Sequence, residues 1–187
     1  MLIGLLAWAG TGLMPLKTAE AGGSGQADVG GAFALTDGSG RTVTDKDFRG
    51  KYMLVYFGYT HCPDVCPTTL LLIDNAVAQL GRKADRATPI FITVDPARDT
   101  PKVVGDYVKH FGPHLVGLTG SAQQVHDAAA AYKVYYSKIE DENSALGYMM
   151  DHSSFIYLMG PDGKYITHFP STVSEESLTD ELNIHIH

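Results

Sequence analysis

Residues 53–81 read M-L-V-Y-F-G-Y-T-H-C-P-D-V-C-P-T-T-L-L-L-I-D-N-A-V-A-Q-L-G, and this stretch decides the fold. Its first six residues are apolar and rich in β-formers, which is typical of a strand buried on both faces of a sheet. Pro67 suits the first position of a helix, and Gly81 suits the position just beyond its end. The two cysteines between strand and helix, Cys62 and Cys66, therefore lie at a strand-to-helix junction.

The rest of the chain continues to alternate between strands and helices. Strands are predicted at residues 89–94, 115–118, 154–159 and 164–169, helices at 101–111, 121–131 and from about 175, and an N-terminal hairpin at 33–44. This order predicts a parallel βαβ core, to which the last two strands add an antiparallel edge. The expected fold is α/β and thioredoxin-like, with a central mixed sheet flanked by helices and an N-terminal hairpin. Reactive groups in such sheets gather at the carboxyl ends of strands, where Cys62 falls.

Length and composition limit the possible functions. A chain of 187 residues is large enough for one buried core, and its 44% hydrophobic and 19% charged residues are ordinary for a globular domain. The net charge is -7, and the 14 Lys and Arg residues are scattered along the chain. Because phosphate binding needs clustered cations, no nucleic-acid partner is expected.

The N-terminus differs in composition from the rest of the chain. Residues 1–18 are mostly apolar and carry no charge apart from Lys17, residues 19–31 form a Gly-rich segment typical of a flexible linker, and the folded domain is expected at 32–187. We interpret 1–18 as a membrane anchor or, alternatively, as a cleaved export signal, although the usual positive charge at the start is missing. The expected location is the bacterial inner membrane with the domain facing the periplasm; cleavage would leave the domain soluble in the periplasm.

Cys62 and Cys66 are the only cysteines of the chain, and the pair has three interpretations. A structural disulfide across three intervening residues would stabilise the fold by only about 2 kcal/mol, which argues against a staple. A thiol near a helix N-terminus has a lowered pKa, which suits both a redox dithiol and a metal site. Redox dithiols usually have the spacing C-x-x-C. The spacing C-x-x-x-C instead places two thiols one helical turn apart on one face, where they can bind Cu(I) or zinc.

His152 is the candidate third ligand. It lies in the sequence D-H-S-S, immediately before the strand predicted from residue 154. In thioredoxin-like folds the loop at this place lies against the dithiol and usually carries a cis proline, whereas here it carries an imidazole. Two thiolates and one imidazole form a three-coordinate site, which suits copper better than structural zinc, since structural zinc normally has four ligands.

Three polar neighbours of the predicted ligands could contribute to the site, and each also has an ordinary loop role. Asp151 could orient the imidazole ring, Asp64 could influence the metal or a partner, and His61 could bind copper transiently. A loop aspartate beside a proline is also a common turn residue, so these roles remain alternatives.

Two further groups have a favoured structural role. Met149 and Met150 are soft donors close to His152, but methionine is more often a core residue. The charged residues of the segment D-P-A-R-D, at 95–99, could form a functional site. We interpret it instead as a turn held by an ion pair that leads into a helix capped by Thr100.

Three segments together resemble the Sco/SenC copper proteins in the order and spacing of that family. They are G-K-Y-M-L-V-Y-F-G-Y-T-H-C-P-D-V-C-P-T-T-L at 50–70, T-V-D-P-A-R-D-T-P at 93–101 and D-H-S-S-F-I-Y-L at 151–158, within a resemblance that begins near Gly30 and reaches the C-terminus. The resemblance implies a membrane-tethered thioredoxin-like domain in which Cys62, Cys66 and His152 bind copper as Cu(I) or Cu(II).

The same resemblance implies a role in the assembly of cytochrome c oxidase. The expected function is delivery of copper to the binuclear centre of subunit II, or reduction of the cysteines of that subunit, with a copper donor and a thiol reductant as further partners. An exported thiol-disulfide oxidoreductase is the alternative, so enzymatic activity stays open. A peroxiredoxin-like peroxidase is disfavoured, because its motif has Thr or Ser three residues before the reactive cysteine, where this chain has Tyr59 and Pro63.

Overall fold

The computed structural model describes residues 29–141 and 147–187, and the structural statements below refer to these ranges. The predicted apolar segment 1–18 and residues 19–28 of the predicted linker lie outside them. The strands are β1 Ala34–Asp37, β2 Thr42–Thr44, β3 Tyr52–Gly58, β4 Ala87–Thr93, β5 Val116–Thr119, β6 Tyr136–Glu140, β7 Tyr148–His152, β8 Phe155–Met159 and β9 Tyr165–Pro170. The helices are α1 Val65–Gln79, α2 Pro101–Val108, α3 Ala122–Ala131 and α4 Glu175–His185, with short 3-10 helices at Asp45–Phe48 and Gly81–Arg86.

Seven strands of the described ranges form one sheet, in the order β2-β1-β5-β4-β3-β8-β9. Strands β3, β4 and β5 run parallel to one another, whereas β1 is antiparallel to β5, and β8 is antiparallel to β3. All seven residues of β3 are buried, as a continuous apolar run predicts for a central strand. The predicted α/β fold with a central mixed sheet and an N-terminal hairpin is confirmed.

Helix α1 begins earlier than predicted. It starts at Val65, two residues before Pro67, so Cys66 lies inside its first turn. Pro67 is tolerated there because the first N–H groups of a helix have no partner within the helix, and a missing N–H at that position breaks no hydrogen bond. Gly81 follows the helix with a positive φ of 59°, which confirms its predicted place beyond the helix end.

A two-stranded antiparallel ribbon, formed by β6 and β7, was not predicted from the sequence. In the described residues the ribbon forms a sheet of its own, separate from the seven-stranded sheet. Its residues alternate between half-buried and exposed along β7, so the ribbon lacks the apolar run that marks a core strand. The expectation that His152 lies in a loop was therefore wrong, because His152 is the last residue of β7.

Two residues before the expected boundary at Ala32 also contact the folded domain. The Gly30 N–H donates to the Ala131 carbonyl at 2.9 Å, and Val29 packs against the core. Within residues 29–141 and 147–187, no helix has the length and hydrophobicity needed to cross a bilayer.

The turn between β1 and β2 contacts helix α2 through two glycines. A Cβ added at Gly38 would lie 2.5 Å from the Gly105 Cα atom. Because two backbones meet there, Gly38→Ala is expected to lower the free energy of unfolding by about 1–3 kcal/mol in urea denaturation. Gly160→Ala is the matched control, since the nearest atom to its added Cβ belongs to the flexible Asp162 side chain. Equal stability of the two variants would contradict the close approach.

Candidate metal centre

Cys62 and Cys66 lie where β3 leads into α1, as the sequence predicts. Cys62 precedes the helix and its N–H donates to the Tyr59 carbonyl at 3.3 Å. The Cys66 N–H, in the first helical turn, donates to Cys62 Sγ at 3.4 Å. Asp64 is the N-cap residue, but its side chain makes no capping hydrogen bond. The sulfur of Cys62 therefore accepts from an N–H group that a capping side chain would usually satisfy.

The two thiols have opposite protonation tendencies. A hydrogen bond from the Cys66 thiol, helped by the backbone N–H groups of Asp64 and Cys66, lowers the pKa of Cys62 to about 5 despite its partial burial. The same hydrogen bond, together with burial, raises the pKa of Cys66. Both cysteines are free, so the pair at neutral pH consists of one thiolate and one thiol.

The buried Cys66 sulfur is accommodated by strand β3. A Cβ added at Gly58 would lie 2.8 Å from Cys66 Sγ, so only glycine leaves room for the sulfur at this strand end. The Tyr56 hydroxyl donates to the same sulfur at 3.8 Å. Sequence reasoning missed both residues. Their signal is the period of two in a strand, which places Tyr56 and Gly58 on the same face of β3.

His152 lies against Cys66 from the other side. Its Nε2 atom is 3.7 Å from Cys66 Sγ, and its Nδ1 atom is 3.1 Å from the Ser153 carbonyl oxygen. A carbonyl oxygen only accepts, so Nδ1 carries the proton and the Nε2 lone pair faces the sulfur. The rings of Tyr56 and Tyr59 meet the imidazole edge-on, with centroids 6.2 and 6.0 Å away. The ring is thus held on several sides with Nε2 directed at the Cys66 sulfur.

The separation of these two donors fits a metal ion. Metal–sulfur and metal–nitrogen bonds of about 2.3 and 2.0 Å, at a trigonal angle of about 120°, place sulfur and nitrogen roughly 3.7 Å apart. The sulfur of Cys62 is instead engaged with Cys66. Accordingly, no group of three or more His, Cys, Asp and Glu residues in the described ranges already has the arrangement of a metal site. The donor types, two sulfurs and an imidazole nitrogen, fit a soft ion.

A cavity of about 290 Å³ opens onto Cys62 and is lined by Tyr59, Cys62, Asp64, Met149 and His152, among others. Cys62 is half-buried at this cavity, whereas Cys66 is fully buried behind it. An ion or a partner thiol would therefore reach Cys62 before Cys66.

The other candidate side chains have more ordinary surroundings. The exposed Asp151 does not orient the imidazole, because the Ser153 carbonyl holds Nδ1. His61 Nδ1 lies 3.1 Å from Thr60 Oγ1. Met150 packs against the core, as favoured from the sequence, but Met149 is 37% exposed.

The segment at residues 95–99 forms the predicted turn. Arg98 and Asp95 form an ion pair, and Thr100 caps α2 by accepting the Val103 N–H at 3.4 Å. Both predictions for this segment are confirmed.

Comparison with known proteins gives consistent matches over most of the chain. The SCO1/SenC family model matches residues 21–187. The SCO2-like protein of Rickettsia prowazekii is 41% identical over 152 residues, which cover 81% of this chain and 74% of that protein. The human mitochondrial SCO1 homolog is 42% identical over 163 residues, which cover 84% of this chain. The chain spans only 53% of the human protein and 48% of the Arabidopsis thaliana SCO1 homolog 1.

Solved structures agree with these relatives. Arabidopsis thaliana ScoI with copper bound superimposes with a TM-score of 0.80 at 41% identity, covering 84% of this chain and 98% of that one. Bradyrhizobium japonicum ScoI with copper bound gives a TM-score of 0.76 at 42% identity, covering 84% of this chain and 99% of that one. With a family model that matches most of its length and relatives above 40% identity, the chain belongs to the SCO1/SenC family.

Proposed function

We propose that this protein is a copper metallochaperone in which Cys62, Cys66 and His152 bind a copper ion. The observation that carries the proposal is the His152 Nε2 atom, which lies 3.7 Å from Cys66 Sγ with its lone pair directed at that sulfur. The copper-bound structures of the Arabidopsis and Bradyrhizobium ScoI proteins support copper as the cargo. We further propose delivery to the binuclear copper centre of cytochrome c oxidase subunit II, which the family resemblance implies.

The protonation states of the two cysteines suit reversible loading. Copper binds thiolates, and Cys62 is already ionised at neutral pH because its pKa lies near 5. Cys66 retains its proton in the metal-free protein and releases it when the ion binds. Three protein ligands leave the ion accessible to a fourth donor through the cavity. A partner cysteine arriving there would exchange with Cys62 first.

We propose that the domain works on the periplasmic face of the bacterial inner membrane, attached through residues 1–18. The support for the attachment is the apolar composition of that segment. Cleavage within the segment is the alternative, and it would release a soluble periplasmic domain.

The unequal pKa values of the two thiols favour reduction of a partner disulfide as a second candidate function. The Cys62 thiolate would attack one partner sulfur and form a mixed disulfide while the other partner sulfur leaves as a thiolate. Cys66, after losing its proton, would then attack Cys62 Sγ. The products are a Cys62–Cys66 disulfide and a reduced partner dithiol.

The ligand assignment is tested by removing the imidazole. His152→Ala is expected to weaken Cu(I) binding by more than about 10-fold, because loss of even an outer-shell partner of a metal ligand costs that much. Competition with a Cu(I) chelator of known affinity measures the change. The matched control is His126→Ala on helix α3, which removes an exposed histidine outside the site. Wild-type affinity in His152→Ala would refute the ligand assignment.

Transfer is tested with the soluble domain of cytochrome c oxidase subunit II. Mixing it with the copper-loaded chain, separating the two proteins and measuring their metal should show copper on subunit II. Cys62→Ser should abolish loading and with it the transfer, because the variant lacks one of the three proposed ligands. Copper that stays on the chain despite an excess of reduced subunit II would exclude the delivery role.

The low pKa of Cys62, on which the redox candidate depends, is tested by the pH dependence of alkylation. With its pKa near 5, Cys62 should react with iodoacetamide at a nearly constant rate from pH 8 to pH 6 and at about half that rate near pH 5. Cys66 should stay unmodified because it is buried and protonated. Mass spectrometry of each cysteine peptide gives the rates. A rate for Cys62 that rises steadily up to pH 9 would show that it is an ordinary thiol.

A further inference from the structure

The ribbon that carries His152 needs an anchor. In the described residues, β6 and β7 pair with each other but not with the seven-stranded sheet that carries the cysteines. At one end of β7, His152 is joined to the sheet through Ser153 and Ser154, which lead into β8. The alignment of the ribbon at its other end, and through it the orientation of His152, depends on side-chain contacts with the rest of the domain. Tyr148 and His152 are the first and last residues of β7, and their side chains share one face of the strand.

Arg98 holds the Tyr148 end of this strand. Its Nη1–H group donates to the Tyr148 carbonyl at 3.0 Å, and its guanidinium carbon lies 3.7 Å from the centroid of the Tyr148 ring. Planar stacking and a directed hydrogen bond together are typical of arginine and unavailable to lysine. The contact joins the turn after β4 to the first residue of β7.

Arg98 is itself held in place by Asp95. The two form an ion pair, and the Tyr148 hydroxyl donates to Asp95 Oδ1 at 2.9 Å, which closes a triangle of three side chains. The Arg98 side chain is 14% exposed, and its Nη2 group has no hydrogen-bond partner among the described residues.

The same turn also contacts the cysteine loop. Asp99 is fully buried and accepts hydrogen bonds from the Thr60 backbone N–H at 3.0 Å and the Thr60 hydroxyl at 2.5 Å. Thr60 stands two residues before Cys62. Residues 95–99 therefore hold the histidine ribbon through Arg98 and the cysteine loop through Asp99.

We propose that Arg98 is a positioning residue of the copper site. Through Tyr148 it fixes the ribbon and thereby maintains the 3.7 Å separation between His152 Nε2 and Cys66 Sγ. The proposal rests on the proposed copper function, because its consequence is measured on a copper ligand. Arg98 itself does not contact the ion.

A double-mutant cycle tests whether Arg98 acts through His152. Arg98→Gln is expected to weaken Cu(I) binding by about 10–100-fold, the usual effect of losing an outer-shell contact. In the His152→Ala background the same change should alter affinity by less than about two-fold, because there is no imidazole left to position. Arg41→Gln is the matched control, since Arg41 pairs with Asp37 on the hairpin and its side chain is 77% exposed. Arg98→Gln with wild-type affinity, or an equal loss in both backgrounds, would overturn the proposal.

Hydrogen exchange of the copper-free protein supplies a readout that does not depend on copper. Arg98→Gln should accelerate amide exchange in β6 and β7 by about 10-fold or more while β3 and β4 exchange as in wild type. Unchanged ribbon exchange would also overturn the proposal. If His152→Ala keeps wild-type copper affinity, the proposed ligand set fails, and ribbon exchange still decides whether Arg98 anchors β7.

Arg98→Gln leaves the buried Asp95 carboxylate without its cation, which can destabilise the fold. A second variant therefore tests the same contact with the ion pair intact. Tyr148→Leu keeps the ion pair but removes the stacked ring and the hydroxyl. It should loosen the ribbon and weaken Cu(I) binding in the same direction, by a smaller factor. Thermal unfolding of each variant establishes that the folded protein is measured. If folded Tyr148→Leu shows wild-type amide exchange and wild-type Cu(I) affinity, the proposal is overturned, just as it is by the same result for Arg98→Gln.

Discussion

The pairing of β3 with a parallel strand on one side and an antiparallel strand on the other determines where the functional groups meet. Gly58, the last residue of β3, pairs with Thr93, the last residue of the parallel strand β4. Strand β8 runs the opposite way, with Ile156 opposite Tyr56, so its beginning lies at the edge where β3 ends. The cysteine loop, the turn at residues 95–99 and the D-H-S-S segment therefore converge at one edge. This convergence requires β3 to be the buried central strand, which its apolar sequence ensures.

At that edge, the two thiols differ in burial, and the sequence alone does not reveal this difference. Cys66 lies in the first turn of α1, behind Gly58 and beneath Tyr56, and it keeps its proton. Cys62 lies at the cavity and accepts hydrogen bonds from the helix N-terminus and from Cys66, which stabilise the thiolate. An ion that must be held and then released needs a fixed donor and an accessible one. The inner sulfur is fixed beside an oriented imidazole, and the outer sulfur is accessible. The same asymmetry suits a nucleophilic and a resolving cysteine, so both candidate functions use one geometry.

Much of the fold could be predicted because its signals are local. The apolar run of β3, the Thr100 cap and Gly81 each act within a few residues, and the structure contains all of them. The start of α1 was misplaced, because proline marks a helix beginning only to within its first turn. The β6–β7 ribbon was missed because its strands are half exposed and lack an apolar run. A ribbon of this kind is stabilised by contacts with distant residues such as Arg98, which no local pattern records.

By itself, the sequence determined the fold class and the position of the cysteines at a strand-to-helix junction, because hydrophobic periodicity and residue chemistry are properties of short segments. The place of His152 before a predicted strand of that fold made it the candidate partner of the cysteines. Only the tertiary structure decided which thiol is buried, which nitrogen of His152 faces it, and that a carbonyl rather than Asp151 orients the ring. It also decided that Arg98 and Asp99 join the two halves of the site. These outcomes depend on distances between residues far apart in the chain, which are set only when β3, β4 and β8 align in one sheet.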